Sequence, residues 1–177
     1  TKEWSVENTL WCLEKQASYI EAGLPPLSVP IAEAEDGKET DFILQPYDLG
    51  RKLASPEIMY GNKLRPSRQD QYLVHYRLMG RQPDSYFIPL GYKQTRSKAQ
   101  RTALLQGLMD KRGIVHPDGR ITVTVHSSKL AEDIQYLARS LAMIAKINTL
   151  EIEGQDEGVF EYEIDFKGVD RSVLFTN

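Results

Sequence analysis

The residue types best suited to binding phosphate are concentrated in the middle of the chain. Residues 51–101 contain 11 Lys/Arg and 3 Asp/Glu, residues 1–50 contain 3 and 10, and residues 102–177 contain 8 and 12. Clustered Lys and Arg side chains are the usual electrostatic footprint of a protein that binds a nucleic-acid backbone. The alternative, a solvated face that pairs with the acidic ends of the same chain, fits the sequence equally well. The candidate phosphate contacts in this part are Arg51, Lys52, Lys63, Arg65 and Arg68.

A second set of candidate contacts lies on the alternating segment ITVTVH, which follows the turn-forming residues 116–120. This alternation predicts a strand with Ile121, Val123 and Val125 on its buried face. The opposite face then carries side chains that suit phosphate and base-edge contacts. They are Arg120, Thr122, Thr124 and His126, with Lys146 on the next predicted strand. Glu161, Glu163 and Asp165 on the last predicted strand form an acidic edge, which opposes binding to a phosphate backbone.

Residue types that build metal sites and disulfides are scarce. The chain has one cysteine and three histidines, so neither an internal disulfide nor a Cys/His-rich zinc site is predicted. His116 and His126 lie at opposite ends of one predicted hairpin arm and do not suggest a shared metal. The sequence therefore predicts no cofactor and no metal. No apolar run approaches 18 residues, so no membrane span is predicted, and the cysteine usage favours an intracellular location, cytoplasmic or nucleoid-associated.

Periodicity and capping residues predict the elements that position these side chains. Ser127 or Ser128 is expected to cap a helix that has Glu132 and Asp133 in its first turn. The second half of the chain then runs helix, strand, strand, helix, strand, strand. The other predicted helices span 3–23, 46–54, 67–78 and 97–110, and the predicted strands span 114–115, 121–126, 145–153 and 159–166.

The run RTALLQGLMDKRGIV, a hairpin and then SSKLAEDIQYLARSLA resemble the LAGLIDADG homing endonucleases, especially the type inserted in inteins. The stretch YFIPLGY is similar to the segment before the second motif of that family. The segment VPIAEAEDGKETDFILQPYDLGRKLAS resembles the entry to the first motif. The resemblance covers residues 29–166 and implies a mobile-element origin, such as a phage.

This resemblance implies two helices that pack through small residues and end in catalytic acids. Gly50 and Gly107 occupy the positions that let the helices approach. The positions of the two metal-binding carboxylates are occupied by Ser55 and Arg112, neither of which can serve as one. The resemblance therefore implies the fold, while these residues argue against the usual phosphodiester cleavage.

The expected fold is α+β, a LAGLIDADG-like core with one intact αββαββ repeat, a reduced first repeat and an N-terminal helical arm. Residues 1–41 are expected to form the helix and an acidic arm, and residues 42–177 the degenerate domain. Within that domain, residues 42–96 are the reduced repeat and residues 97–166 the intact one. The short separation of the two motifs leaves no room for a complete first repeat.

The leading prediction is a non-catalytic protein that binds double-stranded DNA and derives from a homing endonuclease. Arg112 is included among the expected DNA contacts. One alternative is a protein-interaction or structural module, in which the acidic strand and an arm bearing Trp4 and Trp11 bind a protein partner. A second is an active Mg²⁺-dependent endonuclease with an unidentified carboxylate, active as a homodimer formed through the Gly107 helix.

Overall fold

The computed structural model describes residues 34–55, 83–151, 160–167, 169 and 171–176, together with residues 18, 21 and 22. The chain divides into two compact units, residues 1–32 and residues 33–177. In the first unit, the Ala22 N–H donates to the Ser18 carbonyl at 3.1 Å, a helical bond. The rest of the helix predicted over 3–23 lies outside the described residues, as does the helix predicted over 67–78.

The second unit is a mixed α+β structure, which confirms the predicted fold class. The intact αββαββ order is present as predicted, from α3 to β4. None of the described helices is both long and apolar enough to span a bilayer. The helices are α1 (Pro46–Leu53), α2 (Leu90–Lys93), α3 (Lys98–Arg112), α4 (Ser128–Ser140) and α5 (Arg171–Leu174), and the strands are β1 (Gly113–Val115), β2 (Ile121–Val125), β3 (Ile144–Glu151) and β4 (Phe160–Lys167).

Local capping explains where the long helices begin. The Ser97 hydroxyl accepts a hydrogen bond from the Gln100 N–H at 3.3 Å, and the Ser127 hydroxyl accepts one from the Leu130 N–H at 3.1 Å. Each bond satisfies one of the four N–H groups that a helix start leaves unpaired. Because Ser127 is the cap, Glu132 and Asp133 fall in the second turn of α4, not in the first as predicted.

The hairpin between β1 and β2 closes through a turn that requires glycine. The His116 N–H donates to the Arg120 carbonyl at 2.8 Å, and the Gly119 N–H donates to the His116 carbonyl at 3.0 Å. Gly119 has φ of +84°, which glycine adopts without the steric penalty of a Cβ atom. The turn fixes the register in which Val115 pairs with Ile121.

The four strands form one antiparallel sheet in the order β1, β2, β4, β3. Strand β4 therefore lies between β2 and β3, and the expectation of an acidic edge is wrong. The reason is that β4 returns to pair with β2, opposing Val123 with Ile164, while β3 takes the outside position. The carboxylates of β4 consequently occupy the interior of the sheet surface.

Helices α3 and α4 cover one face of this sheet. Apolar side chains of all three long strands meet them there, including Val123, Ala145 and Ile164, which are buried. Helix α1 packs along α3 and completes the core through Leu49 and Leu53. The opposite face, which none of the described helices covers, carries the polar residues of the same strands, and we call it the open face.

The compact unit begins nearer residue 33 than the expected boundary at residue 42. Asp36 explains part of this difference, because its Oδ1 accepts from the Lys98 N–H at 2.8 Å and caps α3 from a distance in sequence. Thr40 also donates through its N–H to the side chain of Gln100 at 3.0 Å. The acidic segment around residues 35–40 thus belongs with α3.

Candidate nucleic-acid interface

Helices α1 and α3 approach so closely that only glycine fits between them. A Cβ atom on Gly107 would lie 2.1 Å from the Tyr47 carbonyl oxygen, and one on Gly50 would lie 2.2 Å from the Leu104 carbonyl oxygen. Both distances are far below the closest real contacts of a Cβ, and both obstacles are backbone atoms. The two glycines therefore face each other's helices and set the distance between α1 and α3.

The C-terminal ends of these two helices meet at one small pocket. Leu53 and Ala54 line it from α1, Arg112 from α3, and His126 from the end of β2. Ser55 follows directly after Ala54 and is 6% exposed. The Arg112 guanidinium donates to the Thr124 carbonyl at 3.5 Å, which directs it across the hairpin.

The donor atoms at this pocket do not suit a hard divalent cation. Mg²⁺ prefers oxygen ligands, carboxylates above all, and a guanidinium repels it. The described residues that line the pocket include no carboxylate, and Glu161 reaches it only by pairing with His126 at 3.4 Å. Across the described part of the chain, no group of three or more His, Cys, Asp or Glu side chains could hold a metal ion. The described residues that line this pocket therefore do not fit the Mg²⁺ of the nuclease alternative.

Asp110 lies two residues before Arg112, and its carboxylate accepts hydrogen bonds from other elements of the fold. Its Oδ2 accepts from the Tyr47 hydroxyl at 2.8 Å, and its Oδ1 accepts from the Thr176 N–H at 3.0 Å. The Thr176 hydroxyl donates to the same carboxylate. Partial burial raises the pKa of Asp110, but the hydrogen bonds from Thr176 and Tyr47 outweigh it and hold the pKa below its usual value. Asp110 thus connects α1, α3 and the C-terminal segment.

The strand register assembles a band of polar side chains on the open face. Thr122, Asp165 and Lys146 lie side by side across β2, β4 and β3, and Thr124, Glu163 and Asn148 form the next row. The acidic residues of β4, Glu161, Glu163 and Asp165, run through the middle of this band, and we call them the acidic stripe. The Asn148 side-chain amide donates to Glu163 Oε1 at 3.4 Å.

Two of the candidate contacts on the open face are already paired with neighbours. Arg120 forms an ion pair with Asp118 at 2.8 Å, and that hydrogen bond raises the pKa of Arg120, with a smaller contribution from Asp165 and Glu163. His126 pairs with Glu161. Lys146 is exposed and has no ion pair with another described residue.

The prediction that Thr122 faces outward for contact is only half right. Its side chain lies on the open face, but it is 1% exposed, because β1 and β4 flank it and His116 Nε2 lies 2.9 Å from its hydroxyl. Thr124 is half-buried. The structure therefore removes Thr122 from direct reach of a ligand, and among the candidate contacts on this face it leaves Lys146 and Arg120 exposed.

The candidate cations of residues 51–101 differ in their exposure to solvent. Arg51 is exposed on α1, whereas Lys52 beside it is buried and 9% exposed. Because so little of Lys52 is exposed, it is a weaker candidate than Arg51 for contact with a polyanion. Lys63, Arg65 and Arg68 lie outside the described residues.

The long-range partners of three charged residues that organise this unit were not predicted from the sequence. Asp36 caps α3, Arg101 donates to backbone carbonyls, and Asp133 accepts from the Ile88 N–H at 3.0 Å and from Lys93 Nζ at 2.6 Å. Their partners lie far away in the chain, so no local pattern reveals them. A weak signal exists for Asp133, because Lys129 stands four residues before it on the same helix face and pairs with it at 3.0 Å.

Comparison with known proteins agrees with this geometry. Residues 95–177 match the family model described as homing endonuclease, slightly less than half of the chain. No curated protein sequence matches the chain significantly. The matched part begins just before α3 and includes the whole sheet. The second half of the chain, from just before α3 to its last residue, is therefore similar to homing endonucleases.

Proposed function

We propose that this protein binds double-stranded DNA without cleaving it. The observation that carries the proposal is the pair of residues at the ends of the glycine-packed helices, Ser55 and Arg112. A cleavage centre there would need carboxylates to hold a metal ion that activates water. A buried hydroxyl and a guanidinium offer neither the ligands nor the charge.

The proposal extends to the origin of the chain. We place it with the LAGLIDADG type of homing endonuclease that is found in inteins. The glycine-to-glycine contact of α1 with α3 and the αββαββ order support this origin. A mobile element such as a phage is the corresponding source.

The DNA contacts are assigned to the cations that can reach a polyanion. These are Arg51 at the end of α1, Arg112 at the pocket, and Lys146 and Arg120 at the two sides of the open face. Lys63, Arg65 and Arg68, which were identified from the sequence alone, add three positive charges to this set. Each cation that neutralises a phosphate releases counterions, so the affinity must fall with salt.

The first test is fluorescence anisotropy with labelled duplex DNA in the presence of Mg²⁺, titrated with salt. We expect log affinity to fall linearly with log salt, with a slope of about −0.9 for each phosphate neutralised. Lys146→Glu should weaken binding and reduce the magnitude of the slope by the amount that corresponds to about one phosphate contact. Arg139→Glu is the matched control, because Arg139 is exposed near the end of α4, the helix that covers the opposite face of the sheet.

The same samples, run on a gel, test whether the protein cleaves the DNA that it binds. Intact DNA after long incubation with Mg²⁺ is the expected result. Cutting that needs Mg²⁺ would contradict the reading of Ser55 and Arg112 and restore the nuclease alternative. Absence of binding even at low salt would overturn the proposal and favour a protein-interaction role.

A further inference from the structure

Strand β3 forms an outer edge of the sheet, and no strand of the described residues pairs with its outer side. We infer that β3 pairs antiparallel with the β3 strand of a second copy of this chain, so that the two sheets join into one. An open edge is a template for such pairing, because its outward N–H and C=O groups lack a strand to bond. The inference goes beyond the proposed function, since it does not require DNA.

The hairpin determines which backbone groups of β3 point outward. The His116 N–H donates to the Arg120 carbonyl, so this pair is hydrogen-bonded, and such pairs alternate along an antiparallel ladder. Carried through the registers of β1 with β2, β2 with β4 and β4 with β3, the alternation directs every second residue of β3 away from β4. These outward residues are Ala145, Ile147, Thr149 and Glu151. The Gln135 side chain agrees with this direction, because it donates from α4 to the Ala145 carbonyl at 2.9 Å and leaves that oxygen a second lone pair.

In one antiparallel register, the outer edge of β3 is complementary to itself. This register places Ile147 opposite the same residue of the second copy, on the two-fold axis. Ile144 then lies opposite Leu150 of the second copy, and this apolar pair occurs at both ends of the paired stretch. The two side chains are 51% and 41% exposed in the single chain, so pairing removes apolar surface from water. Lys146 lies opposite Asn148, so no like charges face each other directly.

The neighbouring registers that use the same outward groups are less favourable. An axis through Thr149 places Glu151 opposite Ile147 and loses both apolar pairs. An axis through Ala145 places Lys146 opposite Ile144 and shortens the paired part of β3 to three residues on each copy. The side chains of β3 therefore favour the axis through Ile147.

The lysine of β3 has a counter-charge in its own chain. A lysine on an edge strand commonly opposes unwanted pairing. Lys146 lies beside Asp165 of β4, whose Oδ1 is buried without a hydrogen-bond partner among the described residues. The two lysines of the pair are diagonal neighbours, and each has this carboxylate beside it, which offsets their repulsion.

Two other surfaces are less suited to a second copy. Strand β1, at the opposite edge, has 3 residues, whereas β3 has 8. The face of α3 that carries Gly107 is packed against α1 of the same chain, within reach of the Tyr47 carbonyl. A homodimer through that glycine face would have to displace α1, whereas pairing through β3 leaves the described unit unchanged.

The test is the dependence of molecular mass on concentration, measured by sedimentation equilibrium without DNA. The wild-type chain should approach twice 20.2 kDa as its concentration rises. Ile144→Lys with Leu150→Lys places like charges opposite each other at both ends and should raise the dissociation constant about tenfold or more. Ile144→Glu with Leu150→Lys places opposite charges there and should restore pairing. Leu90→Lys is the control for a lost apolar side chain, because Leu90 is 61% exposed on α2 and should not affect the mass.

The outcomes decide between this edge and every other arrangement. A dimer that the two lysines weaken and the Glu–Lys combination restores supports the inference. A wild-type chain that stays monomeric at every concentration overturns it, as does a dimer that the two lysines leave unchanged or that both double variants weaken equally. Assemblies larger than a dimer also overturn it, because two-fold pairing uses the β3 edge of both copies. Thermal unfolding checks that each variant is folded, and none of these results bears on whether the protein binds DNA.

Discussion

A single buried guanidinium joins three separate parts of the second unit. Arg101 is 5% exposed and donates to the carbonyls of Thr95 at 2.6 Å and Ser140 at 3.4 Å, as well as to that of Glu35. These acceptors lie before α3, at the end of α4 and in the acidic segment. Charged donors form stronger hydrogen bonds than neutral ones, and here they satisfy carbonyls that helix ends and loops leave unpaired.

We therefore expect Arg101→Met to destabilise the fold by about 2–4 kcal/mol. Methionine fills similar space but leaves the buried carbonyls without a donor. Urea unfolding followed by circular dichroism measures the effect. Arg96→Met is the control, since Arg96 pairs with Glu35 at 3.2 Å with both side chains about three-quarters exposed, and such pairs contribute little. Equal losses for the two variants would show that Arg101 is not the link described.

At the scale of elements, the contact between α1 and α3 depends on the absence of two side chains. Gly107→Ala places a Cβ 2.1 Å from a backbone oxygen of Tyr47, so the helices must separate. The expected loss is about 3 kcal/mol or more, because the obstacle is backbone and cannot change rotamer. Thermal unfolding is the measurement.

Gly91→Ala provides the matched comparison for that substitution. Gly91 lies in α2, and its Cβ would meet only Phe42 at 3.9 Å, an ordinary contact. The alanine should be neutral or stabilising by up to about 1 kcal/mol, because it favours the helix. A Gly107→Ala variant as stable as Gly91→Ala would refute the close approach of α1 and α3.

Local patterns predicted the elements well and their arrangement less well. Ser97, Ser127 and the alternation of residues 121–125 each act through neighbours in sequence, so the helices and the hairpin could be identified from them. The place of β4 in the sheet could not, because strand order depends on which distant strands pair. The same limit applies to the candidate site. The glycine positions follow from a motif, but the buried state of Thr122 and the unpaired oxygen of Asp165 exist only after the sheet has assembled.

At the scale of the whole molecule, the acidic segment before α1 is part of the folded unit. A chain that begins at residue 33 should unfold in one cooperative transition. A chain that begins at residue 42 loses the Asp36 cap and the bonds of Thr40 and Glu35 to the start of α3. We expect its melting temperature to fall by several degrees, at about 2–4 °C for each kcal/mol lost.

Asp36→Ala in the chain that begins at residue 33 separates the contribution of the Asp36 cap to stability from that of the other contacts. It should account for part of the fall in melting temperature, because the Lys98 N–H at the start of α3 then loses its acceptor. Calorimetry of the three chains is the measurement. Equal melting temperatures for the chains that begin at residues 33 and 42 would contradict the boundary near residue 33.

The charges at the helix ends have a consequence for the balance between activity and stability. The last turn of α1 contains Arg51 and Lys52, and that of α3 contains Lys111 and Arg112. A helix C-terminus carries about half a negative charge, so cations there are favourable, whereas two carboxylates would be repelled by both helix ends and by each other. A cleavage centre on this scaffold is thus under electrostatic stress whenever its metal is absent. With Ser55 and Arg112 at the two expected carboxylate positions, the present chain avoids that repulsion at the ends of α1 and α3.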